Sequence, residues 1–187
     1  MRHRIMSSDT STDTEVILGL GANVGDPLAQ LAAAVDEIEA HASIDHISSV
    51  YRSEPVGHAE QPDFYNLVVL CRTHHEPVEL LHRMQGVEER LGRRRTFRNA
   101  PRTIDIDLLA YGDTVMRTLE LTLPHPRLHL RGFVLHPLVE IAAEWRHPVL
   151  GRTARELLSS ATGLERVEAV GALPRPGAPL APARPPG

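Results

Sequence analysis

A single cysteine, Cys71, leaves this 187-residue chain no intrachain disulfide, and Cys71-Arg72-Thr73-His74 has no second cysteine pair with which to build a zinc site. Cys71 closes the apolar run Leu67-Val68-Val69-Leu70-Cys71, which predicts a buried, inert thiol rather than a nucleophile. No zinc is expected, and His74, His75 and His82 are expected at a solvated surface. Long hydrophobic runs are missing too. No stretch approaches membrane-spanning length, and Met1-Arg2-His3-Arg4-Ile5-Met6 carries no apolar segment of the kind a secretory leader needs, so the expected setting is cytoplasmic, with no membrane partner. Charge of one sign is absent as well: 20 basic against 24 acidic residues give a net charge of -4, so no global field would hold the protein on nucleic acid or an anionic surface. Aromatic residues are only 4% of the chain and do not pair on its strands, which argues against an RNA-binding module that stacks bases on a sheet. There is no internal repeat, and the length suits one hydrophobic core.

What is present divides into three parts: a flexible N-terminal extension over 1–14, one domain over 15–165, and a tail over 166–187. Pro, Ala and Gly dominate the tail from 171 on and leave it without the apolar periodicity that offsets ordering entropy. Glu15 to Leu20 reads as a buried strand. Gly19-x-Gly21-x-x-x-Gly25 behind it has the wrong spacing for a dinucleotide fingerprint and reads as a tight turn. A helix then runs to about His41, with Leu28, Leu31, Val35 and Ile38 on one stripe. Strands are predicted over Ile44 to Arg52 and Phe64 to Thr73, joined by the long loop Ser53 to Asp63. A second helix over Pro77 to Leu91 places Gln85 and Glu88 on neighbouring positions of one face. After a strand near residue 105, helices are predicted over Phe133 to Trp145 and Thr153 to Ser160. The order β-α-β-β-α-β plus C-terminal helices predicts an α+β, ferredoxin-like sandwich with helices on one face of an antiparallel sheet.

Chemistry concentrates in Arg102-Thr103-Ile104-Asp105-Ile106-Asp107-Leu108-Leu109. Side chains alternate along a strand, so Asp105 and Asp107 share one face while Ile104, Ile106 and Leu108 take the other. Their Cα atoms stand ~6.5–7 Å apart at ~3.3 Å per residue, a span suited to hard cations and phosphate. Arg93, Arg94, Arg95, Arg98 and Arg102 lie just upstream, and a cluster of guanidinium groups beside two carboxylates answers the needs of phosphate and metal together. Leu123-Pro124-His125-Pro126-Arg127 through Arg131-Gly132-Phe133 adds an imidazole, two guanidinium groups and an aromatic ring outside regular structure. Phe64 and Phe133 together could sandwich a flat heterocycle.

The chain resembles the 6-hydroxymethyl-7,8-dihydropterin pyrophosphokinases of folate biosynthesis over roughly Val16 to Leu158. The blocks that carry the resemblance are Gly19 to Asp26, Tyr51 to Gly57, Gln61 to Asn66, Leu91-Gly92-Arg93, Pro101 to Asp107, and Pro124 to Arg127 with Arg131-Gly132-Phe133. The resemblance implies a ferredoxin-like fold and transfer of pyrophosphate from MgATP to the pterin hydroxymethyl group, releasing AMP. It implies Asp105 and Asp107 as ligands of two Mg2+ ions, and Arg93, Arg102 and Asp107 as catalytic residues. For ATP it implies Gln85, Glu88, Arg93, Arg95, Arg102, Leu108, Thr122, His125 and Arg131, with Glu88 at the ribose. For the pterin it implies Ser53, Val56, Phe64, Asn66 and Phe133. ATP and the dihydropterin would be the partners of a monomer, with no nucleic acid.

Three positions depart from the family's pattern. Arg98-Asn99-Ala100-Pro101-Arg102 stands where the family commonly has Arg-Trp-Gly-Pro-Arg, which removes an aromatic lid and implies altered substrate affinity. Ala22 replaces a more usual serine, and Glu54 a frequent proline; neither touches the aspartate pair.

Overall fold

The computed structural model describes residues 13–55, 61–93 and 103–174. Strand β1 (Thr14–Ala22) is followed by helix α1 (Pro27–Ile38), which starts where Asp26 accepts the Ala29 N–H at 3.1 Å and proline presets the first turn. The predicted strand over 44–52 is two strands, β2 (Ser43–Ile47) and β3 (Val50–Ser53). Buried Ser48 interrupts it: its backbone N–H donates to Val68 O, and its hydroxyl accepts the Val68 N–H at 2.9 Å. Strand β4 (Phe64–Thr73), helix α2 (Pro77–Arg90) and strand β5 (Asp105–Tyr111) follow as expected. A small hairpin, β6 (Met116–Arg117) with β7 (Thr122–Leu123), leads to helices α3 (Gly132–Ala142) and α4 (Ala154–Ser160). A last strand, β8 (Val167–Gly171), closes the described chain.

The main sheet runs β5-β1-β4-β3-β8, with β2 also on β4, and every pairing is antiparallel. Alternation along the central strands splits their side chains between two apolar layers. Val16, Leu18 and Leu20 of β1 join Leu67 and Val69 of β4 and Ile106 and Leu108 of β5 under α1 and α2. Ile17, Val68, Leu70 and Leu109 point the other way and pack against Leu135 and Leu138 of α3 and Leu157 of α4. Helices therefore cover both faces of the sheet, where one covered face was expected. The C-terminal pair forms the second layer. Cys71 is fully buried in the first layer, and burial pushes its thiol up to about 12.

The tail also needs correction. Residues 167–171, placed within the expected tail, form an edge strand antiparallel to β3, with Val167 opposite Ser53. Backbone pairing with an otherwise open edge supplies what its weak apolar pattern does not. Residues 175–187 lie outside the described residues, as do 1–12.

Candidate active site

The site is built from side chains of one parity on three adjacent strands. In β5, Asp105 and Asp107 face the α3 side of the sheet, ahead of Leu109. In β1 the residues directly opposite them are Gly21 and Gly19. In β4, Asn66 and Val68 stand across from the same two glycines. Two strand positions without side chains thus lie between the aspartates and β4, and the sheet floor is open there. A Cβ on Gly21 would meet Asn66 Oδ1 at 2.9 Å, and one on Gly19 would meet Leu109 Cδ1 at 3.0 Å. Both glycines belong to β1, which runs through Gly21 into what was expected to be the turn. Gly25 alone of the three has the left-handed backbone, with φ of 73°. The readable signal was their shared parity with Ile17 in a strand with no polar side chain from Val16 on.

Above this floor is a pocket of about 350 Å3, within the usual range for small-molecule sites. Phe64 and Phe133 line it, and Ser53 and Asn66 form a polar edge beside them, the Asn66 amide donating to Ser53 Oγ at 3.0 Å. Both of these polar residues are buried. The loop that supplies Gln61 is tied to the β1–α1 turn by Asn23, whose amide donates to Pro62 O and Gln61 Oε1.

Each aspartate meets a guanidinium. Arg93 Nη1 stands 2.8 Å from Asp105 Oδ1 and is also paired with Glu88. Glu88 itself is buried and accepts the Ile106 N–H at 2.7 Å, so one carboxylate locks α2 to the start of the aspartate strand and orients the arginine. Arg131 Nη1 lies 3.4 Å from Asp107 Oδ2, with its guanidinium 5.3 Å from the centre of the Phe133 ring. Burial holds Arg131 below its ordinary value, and neighbouring Asp107 opposes the shift. Burial likewise lowers His125, again opposed by Asp107. His125 Nδ1 accepts the Arg127 N–H at 3.2 Å, which leaves Nε2 to carry the proton of the neutral ring. A neutral imidazole beside a carboxylate is a hydrogen-bond donor that adds no charge.

Asp105, Asp107, His125, Arg131, Ser53, Phe64, Asn66 and Phe133 all line this pocket, as the sequence predicts. Glu88 does not: it is 2% exposed and accepts the Ile106 N–H. Arg93 stands between it and Asp105. Leu108 is buried in the α1/α2 layer, opposite the aspartates, and Leu109 takes the pocket side. Gln85 on α2 and Thr122 on β7 are half-buried and away from the pocket lining. Val56, Arg95 and Arg102, with Asn99 and Ala100, lie outside the described residues. Besides Gly19 and Gly21, sequence reasoning missed Gln61 and Glu165. Glu165 reaches the pocket from a segment whose composition gave no hint of a site.

The donor set fits Mg2+. The ion is typically held by one or two carboxylates and completes its octahedron with water and phosphate oxygens. Asp105 and Asp107 supply two hard oxygen donors on one strand face, with side chains 19% and 38% exposed toward the pocket.

Carboxylates on one strand face, met by cationic side chains from two directions and bordered by a pair of phenylalanines, equip a transferase that moves phosphoryl groups onto a flat acceptor. Residues 17–143 match the family described as 7,8-dihydro-6-hydroxymethylpterin-pyrophosphokinase (HPPK). The chain is 41% identical over 141 residues to the 2-amino-4-hydroxy-6-hydroxymethyldihydropteridine pyrophosphokinase of Aquifex aeolicus, covering 75% of this chain and 88% of that protein. It is 42% identical over 159 residues to the enzyme of the same name from Methylorubrum extorquens, covering 83% and 99%. Among solved structures, Plasmodium falciparum HPPK-DHPS superposes with a TM-score of 0.66 at 17% identity, covering 79% of this chain and 43% of that one, a likeness of fold. The chain belongs to the HPPK family.

Proposed function

We infer that the protein transfers pyrophosphate from ATP to the hydroxymethyl group of 6-hydroxymethyl-7,8-dihydropterin, giving the pterin diphosphate and AMP in folate biosynthesis. Family membership supports the reaction, and the pairing of Asp105 and Asp107 with Gly21 and Gly19 beside the Phe64/Phe133 pocket is the observation that carries it. We read the strand order, with β2 and β3 as one interrupted strand, as the ferredoxin-like arrangement.

The pterin ring stacks between Phe64 and Phe133, and Asn66 and Ser53 read its polar edge, with Val56 following on the same loop. The triphosphate lies toward β5, where Arg93 and Arg131 take up its oxygens and His125 donates through Nε2 without adding charge; Arg95 and Arg102 are assigned to the same oxygens by the family resemblance. The nucleoside end falls toward α2 and β7, both packed on β5, where Gln85 and Thr122 stand. Asp105 and Asp107 would hold two Mg2+ ions, which when bound neutralise the triphosphate and ease deprotonation of the attacking hydroxyl. The pterin oxygen bonds to the β-phosphorus while the bond from that phosphorus to the α-bridging oxygen breaks and AMP leaves. Asp107 accepts the hydroxyl proton. Arg93 and Arg102 steady the transferred group, so that positioning and charge neutralisation supply most of the rate.

We take the enzyme to act as a cytoplasmic monomer on its two small-molecule substrates. Incubation with MgATP and the dihydropterin, followed by separation of nucleotides, tests the reading. AMP formed one for one with a pterin diphosphate supports it; ADP with a pterin monophosphate contradicts it.

A further inference from the structure

Helix α3 begins without a side-chain cap of its own, since Arg131 stands at its N-cap and makes no such bond. The Phe133 N–H in its first turn is instead taken by Glu165, a residue 32 positions further on, at 2.8 Å. Gly132 lets that segment approach: a Cβ there would stand 3.3 Å from Val167 Cγ2 and 3.4 Å from Glu165 Oε1. Two residues after Glu165 the chain enters β8, where Val167 sits opposite Ser53. The end of the expected domain, Glu165, and the start of the expected tail, Val167, therefore border the aromatic wall and the polar edge of the pocket.

Resting on the function inferred above, we propose that Glu165 is a positioning residue for the reaction, fixing Phe133 as the stacking wall for the pterin through its carboxylate. The hydrogen bond holds the backbone of Phe133 and so sets where its ring starts. Because the bond joins β8's lead-in to the start of α3, pterin binding becomes sensitive to the segment that leads into β8.

The test compares Glu165→Ala and Glu165→Gln with the wild-type full-length chain, measuring AMP production with each substrate varied in turn and following thermal unfolding of all three. Glu165→Ala is expected to raise KM for the dihydropterin about tenfold, the effect of one charge-assisted hydrogen bond, while KM for ATP stays within about twofold. Glu165→Gln keeps an oxygen for the Phe133 N–H and is expected to recover most of the pterin affinity. An unchanged pterin KM in Glu165→Ala overturns the proposal, as does a parallel rise in both KM values accompanied by a lower unfolding temperature, which would mark a general loss of structure. Wild-type chain that makes no AMP at all overturns the inferred function and this proposal with it, whereas active wild type with an indifferent Glu165→Ala overturns this proposal alone.

Discussion

Replacing Gly21 by alanine probes the floor of the pocket with a single atom. The new Cβ would stand 2.9 Å from Asn66 Oδ1, and since ordinary contact begins near 3.4 Å the carboxamide must retreat by about 0.5 Å. It is not free to do so. Asn66 is 5% exposed, and its amide is tethered to Ser53 Oγ at 3.0 Å, so moving the oxygen drags on that bond. Losing a buried hydrogen bond while a partner stays unsatisfied costs about 1–3 kcal/mol. If the pterin depends on this edge, that cost appears as about a 5- to 150-fold rise in its KM. The assay is steady-state AMP formation with the dihydropterin varied at saturating MgATP, then the reverse, and ATP's KM should stay within about twofold. Gly19→Ala is the control, because its Cβ meets fully buried Leu109 at 3.0 Å and overpacks the α3 layer, lowering stability by about 1–3 kcal/mol before it alters pterin selectivity. A Gly21→Ala enzyme with unchanged pterin KM would refute the assignment of Asn66 and Ser53 to the pterin edge.

Three other changes have definite expected outcomes. Glu88→Ala removes the acceptor of the Ile106 N–H and the partner of Arg93 together and should cost about 3 kcal/mol in urea denaturation, whereas Glu88→Gln, which keeps an acceptor, should cost less while still lowering kcat through misplaced Arg93. His147 is buried and its Nδ1 accepts the N–H groups of Val149 and Leu150 at 3.2 Å; burial, with His129 nearby, lowers its pKa. A histidine whose folded pKa lies below its unfolded value near 6.5 contributes stability that is present above that pH and lost as pH falls through the folded value, so the unfolding temperature should drop on acidification below about 6.5, and His147→Gln should flatten that decline. Thr153 caps α4 by accepting the Glu156 N–H, with Glu156 reciprocating, so Thr153→Ala should cost about 1 kcal/mol, or about 2–4 °C in the unfolding temperature.

Much of the site was legible because a period of two is a strong constraint. Asp105 and Asp107 had to share a face once their strand was recognised, and Phe64, Asn66, His125, Arg131 and Phe133 were readable from residue type and from the family resemblance. The glycines opposite the aspartates were not, because glycines ahead of a proline-started helix read locally as a turn, and only the register of β1 against β5 shows Gly19 and Gly21 as strand floor. The burial of Glu88 was equally hidden: the backbone amide it satisfies, Ile106 N–H, is 18 residues away in sequence. The position of α3 and α4 on the second sheet face and the pairing of β8 with β3 are tertiary facts. The apolar pattern of Val167–Gly171 is too weak to announce a strand that gains its stability from a neighbour's open edge.

The central claim is that Asp105 and Asp107 hold the magnesium through which pyrophosphate is transferred. Its most direct test is AMP production by Asp105→Asn and Asp107→Asn, each titrated with Mg2+ and checked for an intact thermal transition. These side chains line the pocket rather than the core, so both variants should fold as the wild type does while losing about 10²–10³-fold or more in kcat, a loss that added Mg2+ does not restore. Near-wild-type turnover by either folded variant would contradict the account.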